Sequence, residues 1–216
     1  MQTITLHDSL PAVFQNEDRG QSGVWRRDLS LSKGDRVLVE AESGSGKSSL
    51  VSFIFGQRRD YLGDILFDDT NIRTFGAGAW DNIRCTSLSV IFQELRLFPE
   101  LTAMDNVLIK NRLTRGGYKT RKQIDALFDE LGVAHRRDAL VAHMSYGQQQ
   151  RVALIRALCQ PFDFLIADEP ISHIDDLNAA TMAAIISREA EERGAGVIVT
   201  SIGKHFDIGY TNVLRL

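Results

Sequence analysis

At 216 residues the chain has room for one α/β domain with a substantial core, and its apolar share of 44% against 25% charged excludes a disordered or fibrous protein. A net charge of -3 supplies no global field for nucleic acid or an acidic membrane surface. The opening MQTITLHDSLPAVF lacks a basic start followed by an apolar run, and no segment reaches the roughly 18 apolar residues of a membrane helix, so a cytoplasmic chain that meets membranes only through a partner is expected.

The first 40 residues read as short strands: Ile4 and Leu6 alternate with polar neighbours, then come VWRRDLSL and the β-branched RVLVEA ending at Ala41. A glycine-rich turn and a helical SSLVSFIFG follow, and GDILFDDTNI from Gly63 to Ile72 reads as a further strand and turn. Helical character dominates from about Leu97 to Met144. There Ile124, Leu127, Phe128 and Leu131 form one apolar stripe on a helix stopped by Gly132, the pattern of core packing. After Ser145 the order is a helix through QQQRVALIRALC, a strand FDFLIAD, a helix through NAATMAAIISREAEERG and a strand GVIVTS. An α/β core with a helical insertion at about 95 to 145 is the simplest architecture. Cys85 and Cys159 lack CxxC spacing or a histidine pair, which predicts two reduced core thiols.

Between the third strand and the next helix stands AESGSGKSSL, residues 41 to 50. Gly46, Lys47 and Ser48 complete the pattern GxxxxGK[ST], with Ala41 at its first glycine. The backbone N–H groups from Ser43 through Gly44, Ser45 and Gly46 to Ser49 are expected to grip phosphates at a helix N-terminus. Lys47 would reach the outer phosphates and Ser48 would offer an oxygen to magnesium. Ala41 weakens the loop only where its φ must be positive, at about 1–2 kcal/mol. Asp168 and Glu169 end the strand from Phe162 to Ala167, where Asp168 suits magnesium and Glu169 could take a proton from the attacking water. Gln93 follows another apolar strand and is either a surface amide or a ligand to magnesium or water.

The loop at 41 to 49, Gln93, the run MSYGQQQRVALIRAL and the DEP at 168 to 170 together resemble, in order and spacing, the ATP-binding subunit of ABC transporters. That resemblance implies a P-loop NTPase of ABC type, an α/β fold with a mixed β core. On it, a single domain 1–216 divides into a RecA-like core at about 1–94 and 146–216 and a helical subdomain at about 95–145. It implies ATP and magnesium as ligands and a head-to-tail pairing with a second ATP-binding subunit, here a second copy. In such a pair Ser145, Gly147 and Gln148 of one chain reach the triphosphate held by the other. ISHIDD is similar to the family's D-loop, with Asp175 toward the partner. Phe14 is either the aromatic that stacks on adenine or a core aromatic.

The resemblance further implies an integral membrane permease, docked near Leu95 to Thr102, that places the chain on the inner face of the cell membrane. Residues 89 to 107 and SYGQQQR are most similar to the subgroup serving lipoprotein release, macrolide export and cell division. Tyr146 replaces a glycine of the signature, and Ser201 stands where the family has a histidine at the γ-phosphate. His205 could stand in only by folding of the GK turn. Ser201 makes slow hydrolysis, or a regulatory subunit that binds without hydrolysing, the expectation to test. Soluble relatives acting on nucleic acid or ribosomes carry tandem cassettes or a long coiled coil, which this chain lacks, so no nucleic-acid partner is expected. A small-molecule kinase explains the phosphate loop but leaves SYGQQQR without a purpose.

Overall fold

The computed structural model describes residues 1–17, 22–114, 116–171 and 174–216. The first half contains β1 (Thr3–Pro11), β2 (Leu29–Ser32), β3 (Arg36–Glu40), α1 (Lys47–Ile54), β4 (Tyr61–Phe67), β5 (Thr70–Asn71), α2 (Ala77–Thr86) and β6 (Leu88–Ile91). The second contains α3 (Ala103–Leu113), α4 (Arg121–Glu130), α5 (Tyr146–Leu158), β7 (Phe164–Asp168), α6 (Asp176–Glu191), β8 (Gly196–Ser201) and β9 (Asn212–Arg215).

Two sheets form the β core. One is antiparallel in the order β2-β1-β4-β5, and the other runs β6-β7-β8-β3-β9 with every neighbour parallel. β6, β7 and β8 are buried at every residue, which is why their sequences are mostly apolar rather than alternating. β1 is antiparallel and has only one face to bury at its start, so Ile4 and Leu6 alternate with less buried threonines. One apolar cluster lies between the two sheets with α1 and α2, and a second joins α3, α4, α5 and α6 to the far face of the parallel sheet.

The insertion is helical as expected. Thr120 caps α4 reciprocally with Gln123, Ile124, Leu127 and Phe128 point inward, and Gly132 leaves the helix at φ +64°. Between Gly76 and Thr86, where sequence periodicity gives no signal, α2 forms with Trp80 as its buried residue.

VWRRDLSL is not one strand. Only Leu29–Ser32 extends, because Ser22 Oγ accepts from the N–H groups of Val24 and Trp25 and Arg26 turns left-handed at φ +53°. This turn buries Trp25 completely. Of the two cysteines only Cys159 is a core thiol, and burial pushes its pKa up to about 12. Cys85 is half-buried on α2 because its helix packs through Trp80. Among the described residues no helix is long and apolar enough to cross a membrane.

Candidate functional site

The C-terminal ends of four adjacent parallel strands carry the predicted site. The loop 41–46 follows β3, Gln93 lies just past β6, Asp168 and Glu169 close β7, and Ser201 closes β8. Helix α1 starts from Gly46 at φ +104° with no side-chain cap, whereas Thr102, Thr120, Ser145 and Asp175 cap α3, α4, α5 and α6. Its first N–H groups are therefore left for an anion.

A cavity of about 300 Å³ opens above them, lined by Phe14, Ser43, Gly44, Gly46, Lys47, Ser48, Ser49, Gln93 and Glu169, with Ile202 at its rim. Ser45 is buried beneath the loop instead. Its hydroxyl donates to the Glu42 carbonyl, and its own carbonyl accepts from the Trp25 indole N–H at 3.1 Å. Trp25 was invisible as a site residue, since its strand-like surroundings gave no hint of a turn beneath the phosphate loop. Ala41 is not among the residues with positive φ, so it carries no backbone strain, and its N–H donates to the Ser201 carbonyl.

Two features favour glycine at position 46. Its φ is left-handed, and a Cβ there would sit 3.1 Å from Phe14 Cε2 and 3.2 Å from Trp25 Cζ2. Gly46→Ala is expected to destabilise the chain by about 1–3 kcal/mol. At about 2–4 °C per kcal/mol, a thermal scan reads this as a lower midpoint, and an unchanged midpoint would remove the steric account.

Electrostatically the centre is an ion pair. Lys47 Nζ lies 3.3 Å from Glu169 Oε1, both side chains nearly buried, and Gln93 Nε2 donates to Glu169 Oε2 at 3.4 Å. Lys47 thus rests on the carboxylate at the position from which it could turn to a phosphate. Glu169 itself holds φ +48°, fixed by its N–H donating to the Thr200 carbonyl.

Ser48, Gln93 and Asp168 line a second cavity of about 130 Å³. Burial raises the pKa of Asp168, offset in part by the Thr200 hydroxyl that donates to its Oδ1 at 2.5 Å. A hydroxyl, an amide oxygen and a carboxylate are hard oxygen donors, the set that suits magnesium.

The remaining predicted residues lie elsewhere on the chain. Ser145 is exposed and caps α5: its Oγ accepts from the Gln148 N–H, while the Gln148 side chain accepts from the Ser145 N–H. Gly147 is half-buried within the first turn. Asp175 caps α6 through Asn178, and the backbone hydrogen bond from that residue lowers its pKa. Ser172 and His173 of the ISHIDD stretch lie outside the described residues.

One expectation is corrected, and the conditional alternative to it is not met. The Ser201 hydroxyl does not face the cavity: it is buried and donates to the Lys204 carbonyl at 2.5 Å, because so short a side chain reaches the nearest acceptor in its own turn. His205 does not replace it, since its ring packs edge-on against Tyr210 and lines a different cavity beside α6.

Comparison with known proteins places this geometry in company. A family model described as ABC transporter matches residues 26–172. The lipoprotein-releasing system ATP-binding protein LolD of Syntrophotalea carbinolica is 31% identical over 190 residues, covering 88% of this chain and 84% of that protein. LolD of Shewanella frigidimarina is 31% identical over 176 residues, 81% of this chain and 73% of the relative. The dimeric structure of the bacterial ABC transporter cassette MJ0796 superposes with a TM-score of 0.78 at 22% identity, over 98% of this chain and 94% of that one. A dimeric post-hydrolysis state of the same cassette, bound to ADP and Pi, gives 0.74 at 23% identity over 92% and 87%.

Proposed function

The chain belongs to the ABC transporter family, in its ATP-binding domain, and from that premise we propose that it binds and hydrolyses ATP as the energy-coupling subunit of a membrane transporter. The observation that carries this is the single cavity in which uncapped α1 amides, Lys47 and Glu169 meet, adjoined by the Ser48, Gln93 and Asp168 oxygens. Main-chain N–H groups of the loop hold the phosphates, and Phe14 stands at the loop where an adenine ring would stack. Magnesium held by Ser48, Gln93 and Asp168 would supply positive charge against the phosphate oxygens. Glu169 accepts the proton of the attacking water.

Two copies are assigned a head-to-tail pairing, because the exposed Ser145 turn lies outside its own chain's phosphate cavity and has an outward N-terminus to offer a second one. The core comprises about 1–94 and 146–216 and the helical subdomain about 95–145. A groove of about 300 Å³ at their junction, lined by Phe92, Phe98, Ile109, Leu113 and the cations Arg96, Lys110 and Arg156, suits an amphipathic acidic segment of a permease. Those cations meet carbonyls and a ring: Arg156 donates to Leu95 and Arg96, Lys110 donates to Arg84, and Arg96 lies over Phe92. The names of the relatives support a partner of the lipoprotein-releasing kind and a site of action on the cytoplasmic membrane face.

Purified chain should bind ATP with magnesium, associate into dimers when Glu169 is replaced by glutamine, and bring an integral membrane protein with it from native membranes. Absence of nucleotide binding would sink the proposal. A second reading, a subunit that binds ATP but scarcely hydrolyses it, is favoured by one observation: the Ser201 hydroxyl is engaged with Lys204. On that ground Ser201→His is expected to raise steady-state turnover by about 10-fold or more, as a placed hydrogen-bond donor does at a developing charge. Equal turnover in parent and variant would show that the position is silent.

A further inference from the structure

Tyr146 occupies a glycine position of the signature the chain resembles, and its side chain has a defined contact. The phenol donates to the main-chain carbonyl of Gln93 at 2.8 Å, joining residues 53 apart in sequence. At the other end of the same helix, Arg156 donates to the carbonyls of Leu95 and Arg96. Those two residues are consecutive and left-handed, with φ of +58° and +51°, a backbone that L-residues keep only where their surroundings enforce it. Burial lowers the Arg156 pKa to about 10, well above neutral pH, so the clamp stays charged.

Tyr146 and Arg156 belong to one continuous helix, α5, and at 1.5 Å per residue their backbones are about 15 Å apart along its axis, with both side chains converging on residues 93–96. The glutamine loop is therefore stapled to α5 on both sides. From it the contacts continue through Gln93 Nε2 to Glu169 and from Glu169 to Lys47. A glycine at 146 would reach none of this.

We propose that Tyr146 is a positioning residue that fastens the glutamine loop to the signature helix of its own chain, so that displacement of the Ser145 turn by a partner's nucleotide moves Gln93 with it. The fastening is independent of the function proposed above. Its effect on turnover rests on that function.

Tyr146→Phe keeps the ring and removes the one hydroxyl. In amide hydrogen exchange on the ligand-free full chain, residues 92–97 should exchange about 2- to 10-fold faster, the worth of one neutral hydrogen bond, while 43–49 stay as in the parent. In steady-state assays kcat should fall by a similar factor and half-saturation by magnesium should rise, with ATP affinity unchanged, since Tyr146 does not line the phosphate cavity. Tyr146→Gly should loosen 92–97 at least as much. Unchanged exchange at 92–97 overturns the fastening. Faster exchange with kcat and magnesium dependence equal to the parent overturns the positioning role. A parent that neither binds nor hydrolyses ATP sinks the proposed function instead, and the exchange result still upholds or overturns the fastening.

Discussion

Replacing Glu169 by glutamine is expected to lower ATP turnover by about 10²–10⁴-fold, the usual worth of a positioned general base. The amide keeps the shape of the carboxylate and its place after β7 but cannot take a proton from water. The ligand-free geometry adds a second expectation. Glu169 is the group on which Lys47 rests at 3.3 Å, so the carboxylate competes with phosphate for the lysine. Without that competitor, ATP should bind as tightly as in the parent or more tightly. Single-turnover phosphate release and a nucleotide titration on the same preparation separate the two effects. Turnover within about 3-fold of the parent would take the base role from Glu169, since far more is expected of such a group. Loss of ATP binding would mean that the Lys47–Glu169 pair holds the site in shape rather than guarding it.

The parts of this site readable in the sequence are those that depend on local rules. An apolar run ending in Asp168 and Glu169 reads as a buried strand, and a strand, a glycine turn and a helix in that order put the amides of 43 to 49 at a helix N-terminus. Ser48, Gln93 and Asp168 lie far apart in the chain, yet Gln93 and Asp168 stand at strand ends of one parallel sheet and Ser48 opens the helix that follows a third strand of it, so the topology brings them to one cavity.

What the sequence hid depends on side chains reaching across the fold. Trp25 sits beneath the phosphate loop because Ser22 closes a turn, and no periodicity marks that turn. The ring of Tyr146 reads as bulk at a dimer seam until its hydroxyl is seen on Gln93. Ser201 keeps its predicted place at the end of β8, but a hydrogen bond of one turn's span redirects its hydroxyl. Helix α2 stayed hidden because its glycines and single buried tryptophan give no apolar stripe, and β9 because exposed residues dominate it.

The largest stability effect is expected away from the nucleotide cavity, at Glu189 on α6. Lys119 Nζ lies 2.9 Å from both of its carboxylate oxygens and Arg193 Nη2 lies 2.7 Å from Oε2, with all three side chains nearly buried. Arg193 also donates to the Tyr118 hydroxyl and lies over the Tyr118 and Phe162 rings. Asn111 of α3 holds the backbone of Tyr118 and Lys119. The cluster therefore ties the connection between α3 and α4 to α6. Glu189→Gln would leave two cations in low dielectric with no counter-charge, a change that costs about 3–5 kcal/mol. For a chain of this length a thermal midpoint lower by roughly 6–20 °C follows. Replacing Lys119 by methionine in the same variant should recover part of the loss, because one of the stranded charges is gone. A midpoint for Glu189→Gln within a degree of the parent, or no recovery in the double variant, would show that water reaches the cluster and that the α3–α4 connection is held to α6 by apolar contacts alone.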